Sequence, residues 1–445
     1  MAATIKPRLP RGMRDILPQQ MIHRQYVMDV IREIFERFGY EPLSTPSVEL
    51  RETLTGKYGP DAERMMYHVS RKGGKENLAL RYDLSVPLSR VVAMHRDLHK
   101  PFKRYQMSPV WRGERPGKGR YREFYQCDVD TVGTSTVLAD AELLMITHDI
   151  LDRLGFREFV MKINNRKILT GIGQFAGVPD DLLGGLYRSI DKLDKIGLEG
   201  VREELSANEI PAEAIGRLLE LLQVTGDSEA VLQELEERLG DFPAALEGIE
   251  ELQEVLAYLT DMGIPPDRYQ VDFAMVRGLD YYTGPIFETV VEEPRVGSIC
   301  GGGRYDELIG TFSDTSFPAT GISFGIERII DVMAELHMFP PEVGVTKTQV
   351  LVTIFDEAHV GTSLQVSNEL RSGGLNTEQY FENDPLGDQI RYALKRGIPY
   401  VIIVGPDEAT AGKVTIRNLA LKEQRLVDRD TMVDHIEDWE GNRQE

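Results

Sequence analysis

The sequence predicts an α+β domain, interrupted by a helical insertion and followed by a smaller α/β domain. Three observations carry this. Two strand-like runs, from about Lys103 to Arg112 and from about Arg122 to Thr131, flank nine residues, Gly113 to Tyr121, that hold three glycines and a proline. Such a stretch is too long for a two-residue turn and too rich in glycine for a helix, so it reads as the broad, mobile tip of a hairpin. From about Asn164 to Met262 apolar residues recur at helical spacing in an acidic background. Beyond Phe339-Pro340-Pro341-Glu342-Val343-Gly344, a linker by composition, strands and helices alternate.

The length of 445 residues suits two or three domains, each able to bury a core. Apolar content of 41% and charged content of 28% are those of a soluble globular protein. The two cysteines, Cys127 and Cys300, form no CxxC pair, so neither a zinc site nor a disulfide scaffold is expected, and a reducing compartment fits. The first residues are basic (Lys6, Arg8, Arg11, Arg14) without an apolar run, unlike a secretory signal. No stretch has the length of a membrane helix. A cytoplasmic protein with no membrane partner is expected. The net charge of −21 argues against nucleic acid at first sight. However, residues 199–254 hold 16 acids and 3 bases, a net −13 that leaves −8 for the rest. A locally basic surface can coexist with that total.

Pro7 to Pro18 is an opening segment punctuated by proline and glycine, with Arg11-Gly12-Met13-Arg14-Asp15 inside it. The spacing of Val27, Ile31, Ile34, Phe35 and Phe38 predicts a helix from about Gln19 to Phe38, ended by Gly39. Glu41 to Glu49 carries Pro42 and Pro46 and reads as an edge strand. Asn77 to Arg81 is a short strand running into Tyr82-Asp83-Leu84-Ser85-Val86-Pro87. Asp83 and Ser85 could jointly accept hydrogen bonds from an ammonium group. On chemistry alone, either is more simply the N-cap of a helix starting at Val86.

In the hairpin, alternation places Arg122, Phe124, Gln126, Asp128 and Asp130 on one face and Tyr125, Cys127 and Val129 on the other. Arg104, Gln106, Ser108 and Arg112 share a face of the first strand. A face so polar is either solvated or the floor of a binding site. From Arg112 to Arg122 five basic residues (Arg112, Arg115, Lys118, Arg120, Arg122) stand against one acid, Glu114. Arginines in that number suit a polyanion, through bidentate phosphate contacts.

An amphipathic helix is expected from Thr136 to Leu154, then a strand from Phe159 to Ile163. In the helical stretch, Ile215, Leu218, Leu219 and Leu222, then Leu252, Val255, Leu256 and Leu259, mark buried faces, and the acids mark solvated ones. Tyr269 to Ala274 is a strand leading to Val276-Arg277-Gly278-Leu279-Asp280-Tyr281-Tyr282 and on to Glu288. Arg277 could be held by the two tyrosines, or serve structurally by pairing Asp280 or Glu288. Gly301-Gly302-Gly303 would let backbone approach a ligand closely. Gly321 to Arg328 is a strand passing into a helix. In the last domain strands are expected over Gln349–Phe355, Asn376–Gln379, Tyr400–Val404 and Lys413–Leu419. Helices near Gly361–Arg371 and Leu386–Arg396 lie between them and imply a mainly parallel sheet.

These residues also carry a resemblance. Arg112-Gly113-Glu114-Arg115-Pro116, followed by Gly119-Arg120-Tyr121-Arg122-Glu123-Phe124-Tyr125-Gln126, resembles motif 2 of class II aminoacyl-tRNA synthetases in its histidyl-tRNA synthetase form. Tyr125 to Asp130 is more similar to the eukaryotic and archaeal branch than to the commonest bacterial one. The helix and proline-bearing strand of residues 19–49 resemble motif 1, Gly321 to Arg328 motif 3. Arg277-Gly278-Leu279-Asp280-Tyr281-Tyr282 and Gly301-Gly302-Gly303-Arg304-Tyr305-Asp306 are similar to the family's two histidine motifs. The matches run in order along nearly the whole chain, which makes them jointly far more specific than any one alone.

The resemblance implies a class II catalytic domain with a mixed, mainly antiparallel sheet over residues 1–163 and 265–338. It also implies a helical insertion over 164–264 and an anticodon-binding α/β domain over 345–445. It implies two-step attachment of histidine to tRNA(His), with ATP as substrate and Mg²⁺ accompanying it, no metal site of the protein's own, and a homodimer built through motif 1. Arg112 and Arg277 are then catalytic. Asp83, Ser85 and Gln126 hold the ammonium of histidine, while Asp130 and Tyr282 flank its imidazole, with Tyr281 nearby. Glu114, Arg120, Phe124 and Arg328 join the two catalytic arginines around ATP, Phe124 stacking on adenine and Arg328 on the outer phosphates. Asp83 departs from the glutamate usual in bacterial forms. Two other readings share the fold: a regulatory paralogue supporting a phosphoribosyltransferase, and an RNA-binding sensor of uncharged tRNA. The C-terminal domain, the Arg277 motif and the arginines at 112 and 328 speak against both.

Overall fold

The computed structural model describes residues 5–57, 63–117, 119–276, 281–294 and 296–441. They form two compact units. The first takes the residues up to Asp15 and Val27–Met338, the second Ile16–Tyr26 and the chain from Phe339 onward.

In the first unit the strands are, in chain order, β1 (Glu41–Pro42), β2 (Val48–Leu50), β3 (His68–Val69) and β4 (Leu78–Leu80). They continue with β5 (Phe102–Trp111), β6 (Glu123–Val132), β7 (Val160–Asn165) and β8 (Tyr269–Val271). β9 (Pro285–Val290), β10 (Ser298–Arg304) and β11 (Ala319–Gly325) complete the set. Eight of them build one sheet in the order β1-β5-β6-β11-β10-β9-β7-β8. β1 runs parallel to β5 and β7 to β8, and the other neighbours are antiparallel. The expected mixed, mainly antiparallel sheet is therefore present. The Glu41–Glu49 stretch is split by its prolines into β1 and β2, and β2 joins a separate antiparallel sheet of order β2-β4-β3.

The long hairpin pairs β5 with β6 from Phe102↔Val132 to Trp111↔Glu123. β6 lies between β5 and β11, so both of its edges are paired, and every residue from Gln126 to Val132 is buried. Cys127, Val129 and Val132 belong to the apolar core, and the helix Ile326–Glu335 lies against this strand. The polar alternate face is enclosed rather than solvated. The hairpin tip is tied down. Gly113 donates to the Met65 carbonyl at 2.7 Å, Arg122 N–H donates to Gly12 at 2.8 Å, and the Arg14 guanidinium covers the Tyr121 ring at 3.7 Å. Of the five basic tip residues, Arg122 spends its guanidinium on the backbone carbonyls of Glu114 and Arg11, and Lys118 lies outside the described residues.

The first helix spans Pro18–Arg37 and ends at Gly39, whose φ of +77° is open to glycine. The helix Ser85–Met94 starts one residue before the expected Val86. Asp83 Oδ1 accepts from the Val86 N–H at 3.1 Å, so Asp83 does serve the helix start. Arg304 crosses from β10 to the helix Leu138–Arg153. It donates to Asp140 and to the carbonyls of Thr134 and Thr136 at 3.0 and 2.9 Å. Thr320 donates to the other Asp140 oxygen at 2.8 Å.

Residues between Arg166 and Asp261 are mainly helical, with six α-helices from Arg166–Ala176 to Pro243–Asp261 and a short 3-10 helix at Asp180–Leu182. The predicted apolar positions from Ile215 to Leu259 are buried. Asn165 caps the first of these helices and reaches Glu251 of the last at 2.7 Å. The two helices pack so closely that a Cβ at Gly171 would sit 2.3 Å from the Ala245 Cβ.

The second unit contains β12 (Val350–Val352), β13 (Thr377–Gln379), β14 (Tyr400–Ile403), β15 (Lys413–Asn418) and β16 (Glu423–Asp428) in the order β13-β12-β14-β15-β16. The first three are parallel, whereas β15 and β16 are antiparallel, so this sheet is mixed rather than mainly parallel. β16 escapes sequence reading because it is an edge strand with only Val427 buried, and it carries no apolar alternation. Helices Val360–Ser372 and Leu386–Arg396 fall where expected. Met432–Gly441 is a further helix, whose Trp439 packs in the core with Val350, Val366 and Ile402. Among the described residues no helix is long and apolar enough to cross a membrane.

Candidate active site

The inward face of β6, β9, β10 and β11 forms the floor of a cavity of about 400 Å³, roofed by the hairpin tip. Asp83, Ser85, Arg112, Glu114, Arg120, Phe124, Gln126, Asp130, Tyr281, Tyr282 and Arg328 all line it. Every expected site residue within the described set is thereby brought to one place, from stretches up to 245 positions apart in sequence. Arg277 and Asp280 lie outside the described residues.

One end of the cavity is a carboxylate floor. Arg104, fully buried beneath it, approaches Asp130 Oδ2 at 2.8 Å and donates to the Leu84 carbonyl at 3.3 Å. The Tyr305 hydroxyl donates to the other Asp130 oxygen, Oδ1. Burial raises the Asp130 carboxyl above its ordinary range, with Arg104 and Tyr305 opposing. Asp128, two residues back on the same face, is pushed up to about 7, first by burial and then by the charge of Asp130, against the attraction of Arg104. Three tyrosines wall this end. The Tyr281 ring meets Tyr282 at 5.0 Å and Tyr305 at 5.7 Å, both edge-on. Burial and the carboxylates of Asp128, Asp130 and Asp83 hold the Tyr282 hydroxyl protonated. Such a box offers acceptors and ring edges to a flat, polar, cationic ligand.

The other end is basic and aromatic. Arg112 Nε donates to the Tyr82 carbonyl at 3.1 Å, and its guanidinium carbon lies 4.5 Å from the Tyr82 ring and 5.2 Å from the Phe124 ring. These contacts fix a planar guanidinium at the cavity mouth, and Phe124 presents an aromatic face beside it. Arg120 pairs with Glu114 across the tip. Arg328, just inside the helix Ile326–Glu335, donates to the Ser298 carbonyl. Its neighbour Glu327 is buried, accepts from the Tyr125 N–H at 3.3 Å and faces Arg14 at 3.9 Å.

The sequence reading missed Asp128, Tyr305, Glu288, Ser323 and Glu327, which also line the cavity. Asp128 was within reach, because strand alternation already put it between Gln126 and Asp130. Tyr305 and Ser323 lay inside motif resemblances, but local pattern did not single them out: they reach the cavity only through pairing between distant strands. Of the triple glycine, Gly301 and Gly302 line the cavity, and Gly302 has a packing role as well. A Cβ at Gly302 would lie 2.0 Å from the Gly321 carbonyl oxygen, so this glycine lets β10 and β11 approach each other.

Residues 12–329 match the family model described as histidyl-tRNA synthetase, and residues 349–439 match an anticodon binding domain. The chain is 41% identical over 449 residues to the histidine–tRNA ligase of Cytophaga hutchinsonii, covering 96% of this chain and 99% of that one. The crystal structure of histidyl-tRNA synthetase from Nostoc sp. PCC 7120 superposes with a TM-score of 0.86 at 34% identity, over 98% of this chain and 99% of that one. An ATP phosphoribosyltransferase regulatory subunit/histidyl-tRNA synthetase from Bacillus halodurans C superposes with a TM-score of 0.75 at 22% identity, over 90% and 99% of the two chains, a likeness of fold alone. Sheet, hairpin and strand-to-helix arginine together define the class II aminoacyl-tRNA synthetase fold. Within that class, the chain belongs to the histidyl-tRNA synthetase family.

Proposed function

We infer that this protein is a ligase that attaches histidine to tRNA(His) in two steps. What supports this most is one cavity that joins arginines 112, 120 and 328 to a carboxylate and tyrosine floor. In the first step the histidine carboxylate attacks the α-phosphorus of ATP. A carboxylate oxygen–phosphorus bond forms, the bond to the bridging oxygen breaks, and pyrophosphate leaves. In the second, the terminal ribose hydroxyl of the tRNA attacks the carbonyl carbon of histidyl-adenylate, and AMP leaves.

Phosphoryl-type transfer needs alignment and charge neutralisation more than covalent help from the protein. Arg112, held planar by Tyr82 and Phe124, neutralises charge at the α-phosphate. Phe124 stacks on adenine, Arg328 holds the outer phosphates, and Glu114 and Arg120 close the tip over the nucleotide. Arg277 is assigned to the substrate carboxylate and α-phosphate from the opposite side. Mg²⁺ binds through one or two carboxylates plus phosphates and water, and Glu288 and Glu327, which line the cavity, would serve. It would neutralise phosphate charge there.

Asp83, Ser85 and Gln126 hold the ammonium of histidine, while Asp130 and Tyr282, with Tyr281 beside them, read the imidazole. A buried carboxylate beside a phenol rejects apolar amino acids, which would leave both unpaired. Residues 1–163 and 265–338 are assigned to catalysis and 345–445 to the anticodon. The insertion, 164–264, is assigned to the acceptor arm, with few of its residues facing RNA given its charge. The active form is a cytoplasmic homodimer. The test is charging of purified tRNA with labelled histidine, which requires ATP, histidine and tRNA(His) together. Charging of other tRNAs, or none, refutes the assignment.

A further inference from the structure

The cavity floor holds one more carboxylate than the histidine contacts above use. Asp128 sits between Gln126 and Asp130 on the inward face of β6 and is 3% exposed. The two acids differ in how their oxygens are engaged. Asp130 has Arg104 on one oxygen and the Tyr305 hydroxyl on the other. Asp128 faces Ser323 across the β6–β11 pair. The Ser323 hydroxyl accepts from Gln126 Nε2 at 2.8 Å and itself donates to the Asp128 carboxylate. A hydroxyl carries one proton, so this chain has a direction. It turns the Gln126 amide nitrogen toward Ser323 and its carbonyl oxygen away.

Gln126 Oε1 and Asp128 Oδ1 are then both buried, and neither accepts a hydrogen bond among the described residues. Both side chains line the cavity, and Gln126 is 8% exposed. Buried acceptors rarely go without donors, so two on one wall call for a ligand that brings N–H groups. Because both side chains bond the same hydroxyl, their tips converge on one small region.

The local charge asks for a cation. Asp83, Asp128 and Asp130 all line this end of the cavity. Arg104 pairs with Asp130 and donates to the Leu84 carbonyl, and its charge also attracts Asp128, so one guanidinium serves two carboxylates. Arg81 attracts Asp128 from a distance, but its own bonds go to the carbonyls of Pro109 and Thr45 at 2.9 and 2.7 Å. Asp83 gives Oδ1 to the Val86 N–H. Arg112 is held at the other end.

We propose that Asp128 is a further substrate-binding residue of the amino-acid site, whose Oδ1 accepts, together with Gln126 Oε1, from the α-ammonium of histidine. Asp130, already compensated by Arg104, is left to the imidazole. The proposal rests on the histidine reading above and adds to it a charged ammonium partner that Asp83, with one oxygen on the helix start, supplies only in part.

Calorimetric titration of wild type and Asp128→Asn with three ligands tests this. Histidine and histidinol carry the ammonium, while imidazolepropionate keeps ring and carboxylate but lacks it. Asp128→Asn is expected to weaken histidine and histidinol by about 10- to 100-fold, the scale of a charge-assisted hydrogen bond. Imidazolepropionate is expected to change less than about threefold, an energy below that of one such bond. Adding Gln126→Glu to Asp128→Asn returns a carboxylate to the same region and is expected to restore part of the histidine affinity, which a merely structural role would not allow. Equal weakening of all three ligands, or unchanged histidine affinity, overturns the proposal. A wild-type chain that binds no histidine overturns the functional reading itself, whereas wild-type binding with an indifferent Asp128→Asn overturns the proposal alone.

Discussion

Gly321 stands directly opposite Asp130 in the β6–β11 pair, and a Cβ built on it would lie 2.0 Å from Asp130 Oδ1. Only a hydrogen fits above the carboxylate that Arg104 and Tyr305 hold. Gly321→Ala is therefore expected to push Asp130 out of line without unfolding the sheet. Displacements near 1 Å cost about 100-fold in rate, so kcat/KM for histidine in pyrophosphate exchange should fall by that order while near-ultraviolet circular dichroism stays unchanged.

The role proposed for Arg112 is to neutralise a charge that develops only during reaction. Arg112→Ala is expected to lower the rate of adenylate formation by about 100- to 1,000-fold, the usual loss of one preorganised donor, with little change in melting temperature. Arg277→Ala should likewise abolish pyrophosphate exchange and spare folding. Normal histidine-dependent exchange in the Arg277 variant would refute its assignment.

The Arg304–Asp140 pair is a different kind of contact, buried and away from the nucleotide end. Burial lifts the Asp140 carboxyl to about 6 despite its guanidinium partner. Asp140→Ala leaves the buried, charged Arg304 with the more distant Asp306 at 3.4 Å in place of its closer carboxylate, a change that costs about 3–5 kcal/mol. Denaturant titration of the first unit's transition should show that loss, and thermal unfolding should begin correspondingly earlier.

Asp128 gives a pH signature in the ligand-free protein. Its carboxyl is raised from 3.8 to about 7. Between those values the folded chain keeps a proton that the unfolded chain has released, so this group's contribution to stability is lost as pH rises through about 7. The surrounding charges are Arg104 on β5, Asp130 on β6, Asp83 before the helix Ser85–Met94, Tyr282 before β9, and Arg81 after β4. Asp128→Asn removes the titration. Its stability relative to wild type should therefore rise between pH 5.5 and pH 8, by an amount on the order of a few kcal/mol. A difference independent of pH would show that Asp128 ionises normally.

Much of this was legible in the chain. The period of 2 in residues 122–130 and the glycine-rich tip gave the hairpin, and residues of distinctive chemistry such as Arg112 and Phe124 pointed to the cavity. What stayed hidden depends on pairing between distant strands. Ser323 and Tyr305 gain meaning only once β11 lies beside β6 and β10 beside β11. Arg104 showed as a polar residue on a strand, but nothing local says that it lies wholly buried under two aspartates. Tip arginines such as Arg122 illustrate the reverse: a basic cluster suggested phosphate contacts, yet this guanidinium is consumed by backbone carbonyls of its own hairpin and of residue 11. β16 was invisible because an edge strand with a single buried residue has no hydrophobic pattern to read.

ATP–pyrophosphate exchange, run with each of the twenty amino acids in turn, bears most directly on the claim that this cavity activates histidine. Exchange with histidine alone, well above every other amino acid, is the expected result. Exchange that is absent with histidine, or as fast with an apolar amino acid as with histidine, would contradict it.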